Sequence, residues 1–267
     1  MSVLCVVVGS VAGVTQLHDV VYIVHGGSSA IWRFNARTHE RLTDIIVKDM
    51  RKPKDIAACE QTSVVYVAGR PDTAACVWRV SSDGEHVKRW LPKSPSDRII
   101  LWTMSVTSSR LLVTSRGRKQ LRQFDAVGDE LIQVDLPDNM KPQHAMESPA
   151  GTFIVSHTNT QLKQYQCRVS EVNTGGQVLR QFSGSRLIPL VLSEHLAVDS
   201  QGNIFVPDTF NRRILLLNSE LALRRVIIDE HQLNDKQPWR LCYIEHSGQL
   251  LVGFVRDVAV FDVLCRT

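Results

Sequence analysis

Short runs of Val, Ile, Leu and aromatic residues recur along the chain, broken by polar turns rich in Gly, Pro, Asp, Asn and Ser. One pairing of runs returns six times: YIVHGGSSAIWRF from Tyr22, YVAGRPDTAACVWRV from Tyr66, LVTSRGRKQLRQF from Leu112, IVSHTNTQLKQY from Ile154, FVPDTFNRRILLL from Phe205 and LVGFVRDVAVF from Leu251. The interval is about 46 residues, inside the range of repeat architectures. Each unit holds four strand-length runs and no stretch with a helical apolar period, which predicts all-β propeller blades. The fifth unit shows the pattern most fully. Its strands are predicted over Glu194 to Ser200, Asn203 to Asp208, Arg212 to Asn218 and Leu221 to Ile227, named A to D from the axis outward, with tight-turn residues between them.

An open arc of blades would leave unpaired edges at both ends. The sixth unit supplies three strands before the chain stops at Thr267, while Ser2 to Val8 (SVLCVVV) is a strand to spare. The expected fold is therefore an all-β, six-bladed β-propeller closed 3+1, the N-terminal strand completing the last blade. The blades are expected at about 10–47, 53–91, 100–136, 142–182, 194–227, and 239–264 plus 2–8. Residues 1 to 17 carry no charge, but without a basic n-region and with a short apolar run they are a poor secretory signal. No stretch approaches the ~18 apolar residues of a membrane span. A single cytoplasmic, monomeric domain with no membrane contact is expected.

Cys5, Cys59, Cys76, Cys167, Cys242 and Cys265 are scattered with no metal-ligand spacing, which favours reduced core thiols; Cys5 and Cys265 fall on neighbouring strands of the closing blade, so their pairing stays open. Trp32, Trp78 and Trp102 sit within strands and read as core.

The segment His195 to Ile227, HLAVDSQGNIFVPDTFNRRILLLNSELALRRVI, resembles an NHL repeat: a strand ending in Val-Asp, a Gly-Asn turn, an Ile-aromatic-Val strand ending at Asp208, then Asn211-Arg212 entering the next strand. The other blades keep weaker versions, and only the fifth has the full Asp-x-x-Asn-Arg turn. The resemblance implies a six-bladed NHL propeller, most like those at the C-terminal end of tripartite-motif proteins, which bind RNA or protein partners. The zinc modules of such proteins are absent from this sequence, so ubiquitin-ligase activity does not carry over.

Loops from D to the next A strand and from B to C emerge on one face, the top. They hold about seventeen Lys/Arg against about ten Asp/Glu, on a chain of net charge +4, so the rest of the surface is slightly acidic. Lys48, Arg51, Lys52 and Lys54 precede blade 2, Arg116, Arg118 and Lys119 lie in blade 3, and Arg70 falls between them. Phe210 and Trp239 offer stacking surfaces on blades 5 and 6, beside Asn211 and Arg212. Basic groups with exposed aromatics suit single-stranded RNA, or an acidic protein segment. The plainer reading is that these lysines and arginines keep a large β surface soluble.

The residues opening the A strands are Gly13, Asp55, Thr103, His144, His195 and Arg240, a mostly polar ring at the mouth of the axial funnel. Histidine, aspartate and arginine are ingredients of a metal or acid-base site. In strand position His144 and His195 resemble zinc ligands of peptidyl-amidoglycolate lyase, an NHL-like propeller enzyme. That enzyme spaces its ligands on alternate blades, whereas these lie on adjacent ones and no third histidine completes the set. Asp199 and Asp208 read as turn-satisfying carboxylates. No nucleophile elbow, phosphate loop or dinucleotide fingerprint is present in the sequence. The expectation is a non-enzymatic module binding RNA or a protein segment on its top face, with no metal or cofactor. A lyase or hydrolase working in the axial funnel is the alternative.

Overall fold

The computed structural model describes residues 2–6, 10–70, 75–92, 103–161, 166–184 and 189–263, with the side chains of residues 2–6 limited to Leu4. Trp102, the 93–98 loop, Cys265 and the side chain of Cys5 lie outside the described residues. Every regular element described is a strand: β1 (Ser2–Val6), then β2 (Val11–Leu17), β3 (Val20–His25), β4 (Ala30–Asn35) and β5 (Arg41–Ile46) in blade 1. Blade 2 contains β6 (Arg51–Cys59), β7 (Val64–Arg70), β8 (Cys76–Ser81) and β9 (Val87–Leu91). Blade 3 has β10 (Thr103–Thr107), β11 (Arg110–Ser115), β12 (Gln120–Phe124) and β13 (Glu130–Asp135). Blade 4 has β14 (Met140–Glu147), β15 (Phe153–Asn159), β16 (Cys167–Val172) and β17 (Val178–Phe182). In blade 5 these are β18 (Ala197–Val198), β19 (Ile204–Asp208), β20 (Arg213–Leu217) and β21 (Leu223–Ile228). Blade 6 takes β22 (Arg240–Ile244), β23 (Gln249–Gly253) and β24 (Asp257–Asp262).

Each blade is a four-stranded antiparallel meander, and the sixth is completed from the other end of the chain in the order β1-β24-β23-β22. Ser2 pairs with Val260 and Val6 with Asp257, with a bulge between Val3 and Cys5. The 3+1 closure expected from the leftover strand is therefore the one observed. Blade 5 differs in detail from expectation, since its A strand shortens to Ala197–Val198.

The buried apolar residues fall into six clusters, one for each seam between neighbouring blades. This explains the sequence pattern. Inner strands such as Ile204–Asp208 pack on both faces and are buried at every position, so they read as continuous apolar runs. The outer strands β17 and β21 are almost wholly exposed, so they carry Arg and Gln beside apolar residues. Cys59, Cys76 and Cys167 are buried free thiols and Cys242 is half-buried, as the core reading requires. Trp78 is buried and Trp32 half-buried, its ring tilted by 60° against His25 and beneath the guanidinium of Arg41.

Candidate functional site

Of the six axial positions only Thr103 and Arg240 open their A strands; Gly13, Asp55 and His144 lie inside β2, β6 and β14, and His195 precedes the shortened β18. The side chains are turned to the neighbouring blades. Met104 N–H donates to Asp55 Oδ2 at 2.7 Å, crossing from blade 3 to blade 2, and Ile56 N–H donates to Oδ1 at 2.9 Å. Thr103 Oγ1–H donates to the Gln143 carbonyl at 2.7 Å, joining blades 3 and 4. Leu196 N–H donates to His144 Nδ1 at 3.2 Å, which leaves Nε2 to carry the hydrogen and donate it to the Met104 carbonyl at 3.2 Å. Arg240 closes the ring: its Nε donates to the Ala12 carbonyl at 2.7 Å in blade 1, and Nη1 lies 3.4 Å from Glu194 Oε2 near blade 5. Gly13 completes the ring by its size. A Cβ there would stand 2.8 Å from Ile56 N and 3.0 Å from Asp55 Oδ1, so only glycine lets blade 1 approach so closely. The ring is a belt tying adjacent blades at the axis.

Burial sets its protonation. Desolvation raises the Asp55 carboxyl to about 7, against the opposing pull of the Arg240 cation and two backbone N–H groups. Desolvation also lowers His144 to about 3 and His195 well below the ordinary histidine value. Because His195 is neutral, the 3.8 Å approach of its Nε2 to Asp55 Oδ1 is no ion pair.

Asp55, His144 and His195, three of the expected funnel residues, present ligand-type atoms within 4.8 Å of one another, with a carboxylate as the third group. Geometry opposes a shared ion. The two imidazoles are stacked, with centroids 3.9 Å apart and planes tilted by 30°. Both His144 nitrogens are also already hydrogen-bonded. Purified protein is expected to carry far less than one zinc per chain by elemental analysis. Stoichiometric metal, lost when His144 and His195 are both changed to Ala, would overturn this. The axial channel of about 250 Å³ is lined by His144 and His195 and, further along the A strands, by Glu60, Cys242 and Tyr243.

The top face divides into groups that are free and groups that are occupied. Arg51 and Arg70 stand directly opposite each other across β6 and β7, both exposed. Lys48, Lys52 and Arg118 are also exposed, and none of these five makes an ion pair with a described residue. Lys52 projects from a bulge with φ 47°. Lys54 and Arg116 are half-buried. Lys119 is bound to Asp138, through its carbonyl at 2.5 Å and its carboxylate at 3.4 Å, and Arg212 pairs with Asp235 at 3.3 Å. Residues 71–74 and 93–102 lie outside the described residues, so the proposed arc is described only at Arg70 and at the blade 3 cluster.

Phe210 is 51% exposed, as a stacking residue must be. Asn211 is a scaffold residue: its Nδ2 donates to both Asp208 oxygens, at 3.0 and 2.9 Å, and to the Pro189 carbonyl at 3.0 Å. Asp208, fully buried, also accepts from Arg213 Nε at 2.8 Å and Val191 N–H at 3.0 Å. Trp239 is half-buried, and its indole Nε1 is enclosed without a hydrogen-bond partner. One basic contributor escaped sequence reading. Arg89, on outer strand β9, joins Lys48 and Arg51 in a cleft of about 800 Å³ between blades 1 and 2, with Ile46, Asp49 and Glu85 also lining it. Attention to loops alone overlooks an outer-strand residue; the Lys88-Arg89 pair in VKRWL is the signal available.

No protein-family model matches the chain, and no curated protein matches it in sequence. Solved structures do. A chain of a nidogen/laminin complex aligns at TM-score 0.66 and 13% identity over 87% of this chain and 84% of its own. Streptogramin B lyase aligns at TM-score 0.66 and 9% identity over 97% of each chain. Hydrazine synthase of Kuenenia stuttgartiensis aligns at 0.64 and 11% over 95% of each. This is a six-bladed β-propeller. At such identities the likeness concerns fold alone, and propellers host unrelated chemistries.

Proposed function

We propose that the chain is an NHL-type propeller, of the kind that ends tripartite-motif proteins, and that its top face binds single-stranded RNA. The observation that carries this reading is the Arg51 and Arg70 pair. Like charges directly opposite on a sheet destabilise it, and an anion lying between them reverses that cost. Lys48 and Lys52 extend the positive field, Arg89 continues it into the cleft beside exposed Ile46, and Phe210 supplies an aromatic face on blade 5. The Asp208 and Asn211 pair supports the NHL assignment, because two polar residues of the Asp-x-x-Asn-Arg turn fasten blade 5. The cation on Asp208 is Arg213, next to the motif's Arg212, which pairs with Asp235.

Fluorescence anisotropy with single-stranded oligonucleotides at two salt concentrations tests the reading. Joint replacement of Lys48, Arg51, Lys52, Arg70 and Arg89 by Ala should weaken binding and flatten its salt dependence by about 0.7 per lost phosphate contact. Phe210→Ala should cost about 1 to 3 kcal/mol with little change in slope, since stacking releases no ions. If the intact domain shows no binding at low salt, the RNA reading fails and an acidic protein segment becomes the better occupant of this face.

A further inference from the structure

At the opposite end of the blades, a groove of about 410 Å³ opens between blades 4 and 5. Its blade 4 wall is one cross-strand row: Met146 stands opposite Ile154, Ile154 opposite Glu171, and Glu171 opposite Arg180. Directly opposed residues point to the same face of a sheet, so this row faces blade 5, where Val198 and Ile204 form the other wall. The groove thus has an apolar floor with a carboxylate set into it. A volume of this size, mostly apolar with a few placed polar groups, is that of a small-molecule site.

The carboxylate is incompletely satisfied. Glu171 is 9% exposed; its Oε1 accepts from Thr152 Oγ1 at 2.8 Å, while its buried Oε2 has no hydrogen bond. The nearest cation is the Arg180 Nε, 3.5 Å from Oε2, on a side chain that is 51% exposed and held in the groove by nothing else described. Glu147, at the groove's end, does not share this opening, because Arg110 and Gln123 each occupy one of its oxygens at 2.7 Å. Exposed Glu220 at the rim adds a second negative group.

We propose that this groove binds a small organic ammonium ion, an amine with an apolar body. The ammonium donates to Glu171 Oε2, displacing the loosely held Arg180 guanidinium toward solvent. The apolar body lies over Met146, Ile154, Val198 and Ile204. This site is independent of the RNA reading of the top face.

Titration calorimetry on the whole chain tests it with hexylamine, 1-hexanol and hexanoate as probes. Hexylammonium is expected to bind at least about tenfold more tightly than hexanol, because a charge-assisted bond replaces a neutral one, and hexanoate not at all. Glu171→Gln should lower hexylammonium affinity about tenfold or more, and Arg180→Ala should raise it severalfold by removing the competing cation. Circular dichroism checks that each variant folds, and the Arg180 variant keeps the test decisive if Glu171→Gln does not fold. Equal binding of amine and alcohol, or an Arg180→Ala variant no tighter than the parent, would overturn the proposal. Tighter binding of a lysine-containing tripeptide than of hexylamine would overturn the small-molecule assignment in favour of a protein lysine.

Discussion

Removal of residues 1 to 9 is expected to make the protein aggregate or to lower its stability by several kcal/mol. The lost strand is the outer member of blade 6. It covers the free edge of β24, and Leu4, 8% exposed, packs into the cluster that joins blades 6 and 1 together with Val11, Phe34, Val258 and Val260. Burial of one leucine contributes about 2 kcal/mol. The larger effect is topological. Among the described residues, β1 alone pairs the chain before blade 1 with blade 6, so losing it exposes a new strand edge and weakens a closed ring at its seam. Urea unfolding and light scattering measure both consequences. A truncated chain with the same midpoint and a monomeric profile would show that Ser2–Val6 does not close the ring. Leu4→Ala, which keeps the backbone pairing, should cost only the side-chain part, about 2 to 5 kcal/mol.

The second large effect expected is a loss of stability below about pH 6.5 with a plateau above about pH 7, set by the axial belt and one neighbour. Between about pH 4 and 7 the folded chain holds a proton on Asp55 that the unfolded chain has lost, so stability falls as pH rises through that window. A displacement of this size corresponds to about 4 kcal/mol withheld above pH 7. The histidines act in the opposite sense. His144 is lowered to about 3, His157 to about 4 and His195 well below its ordinary value, all first by desolvation, so the unfolded chain binds protons that the fold refuses. Stability is lost as pH falls below about 6.5, and three histidines outweigh one carboxyl on that side.

Asp55→Asn separates the contributions. Both Asp55 oxygens accept backbone N–H groups, whereas an asparagine has one acceptor oxygen and turns an NH₂ toward the other donor. At pH 5 the variant should therefore be less stable than the parent by about 1 to 3 kcal/mol. By pH 8 the difference should shrink or reverse, because the parent then buries a charge and the variant does not. Chemical denaturation of both proteins across pH 4 to 9 provides the measurement. Parallel profiles for the two would show that Asp55 does not hold its proton in the fold.

The interblade belt also shows where reading the sequence stops. The six axial positions could be picked out from the repeat, because a period of about 46 residues places equivalent residues at equivalent heights, although four of them do not open their strands. Their chemistry could not. His144 and His195 suggest ligands when considered as residue types, and only three-dimensional placement shows them stacked, with His144 bonded to Leu196 and Met104. Asn211 and Lys119 are similar. As types they suit nucleic acid, but the fold spends one on Asp208 and the other on Asp138.

By itself the sequence determined the strand content, the number of blades, the closing strand and the ring positions. All of these follow from local properties: apolar run length, turn residues and a repeating interval, each of which acts within about 50 residues. The tertiary structure alone decided which polar groups remain available. Whether Arg51 finds an anion, Glu171 keeps an open oxygen or Asp55 holds its proton depends on partners 19 to 49 or more residues away in sequence, such as Arg70, opposite Arg51, and Met104, bonded to Asp55. Hydrogen bonding and desolvation act over a few ångströms of space, and residue type along the chain does not record which distant blade will fill those ångströms.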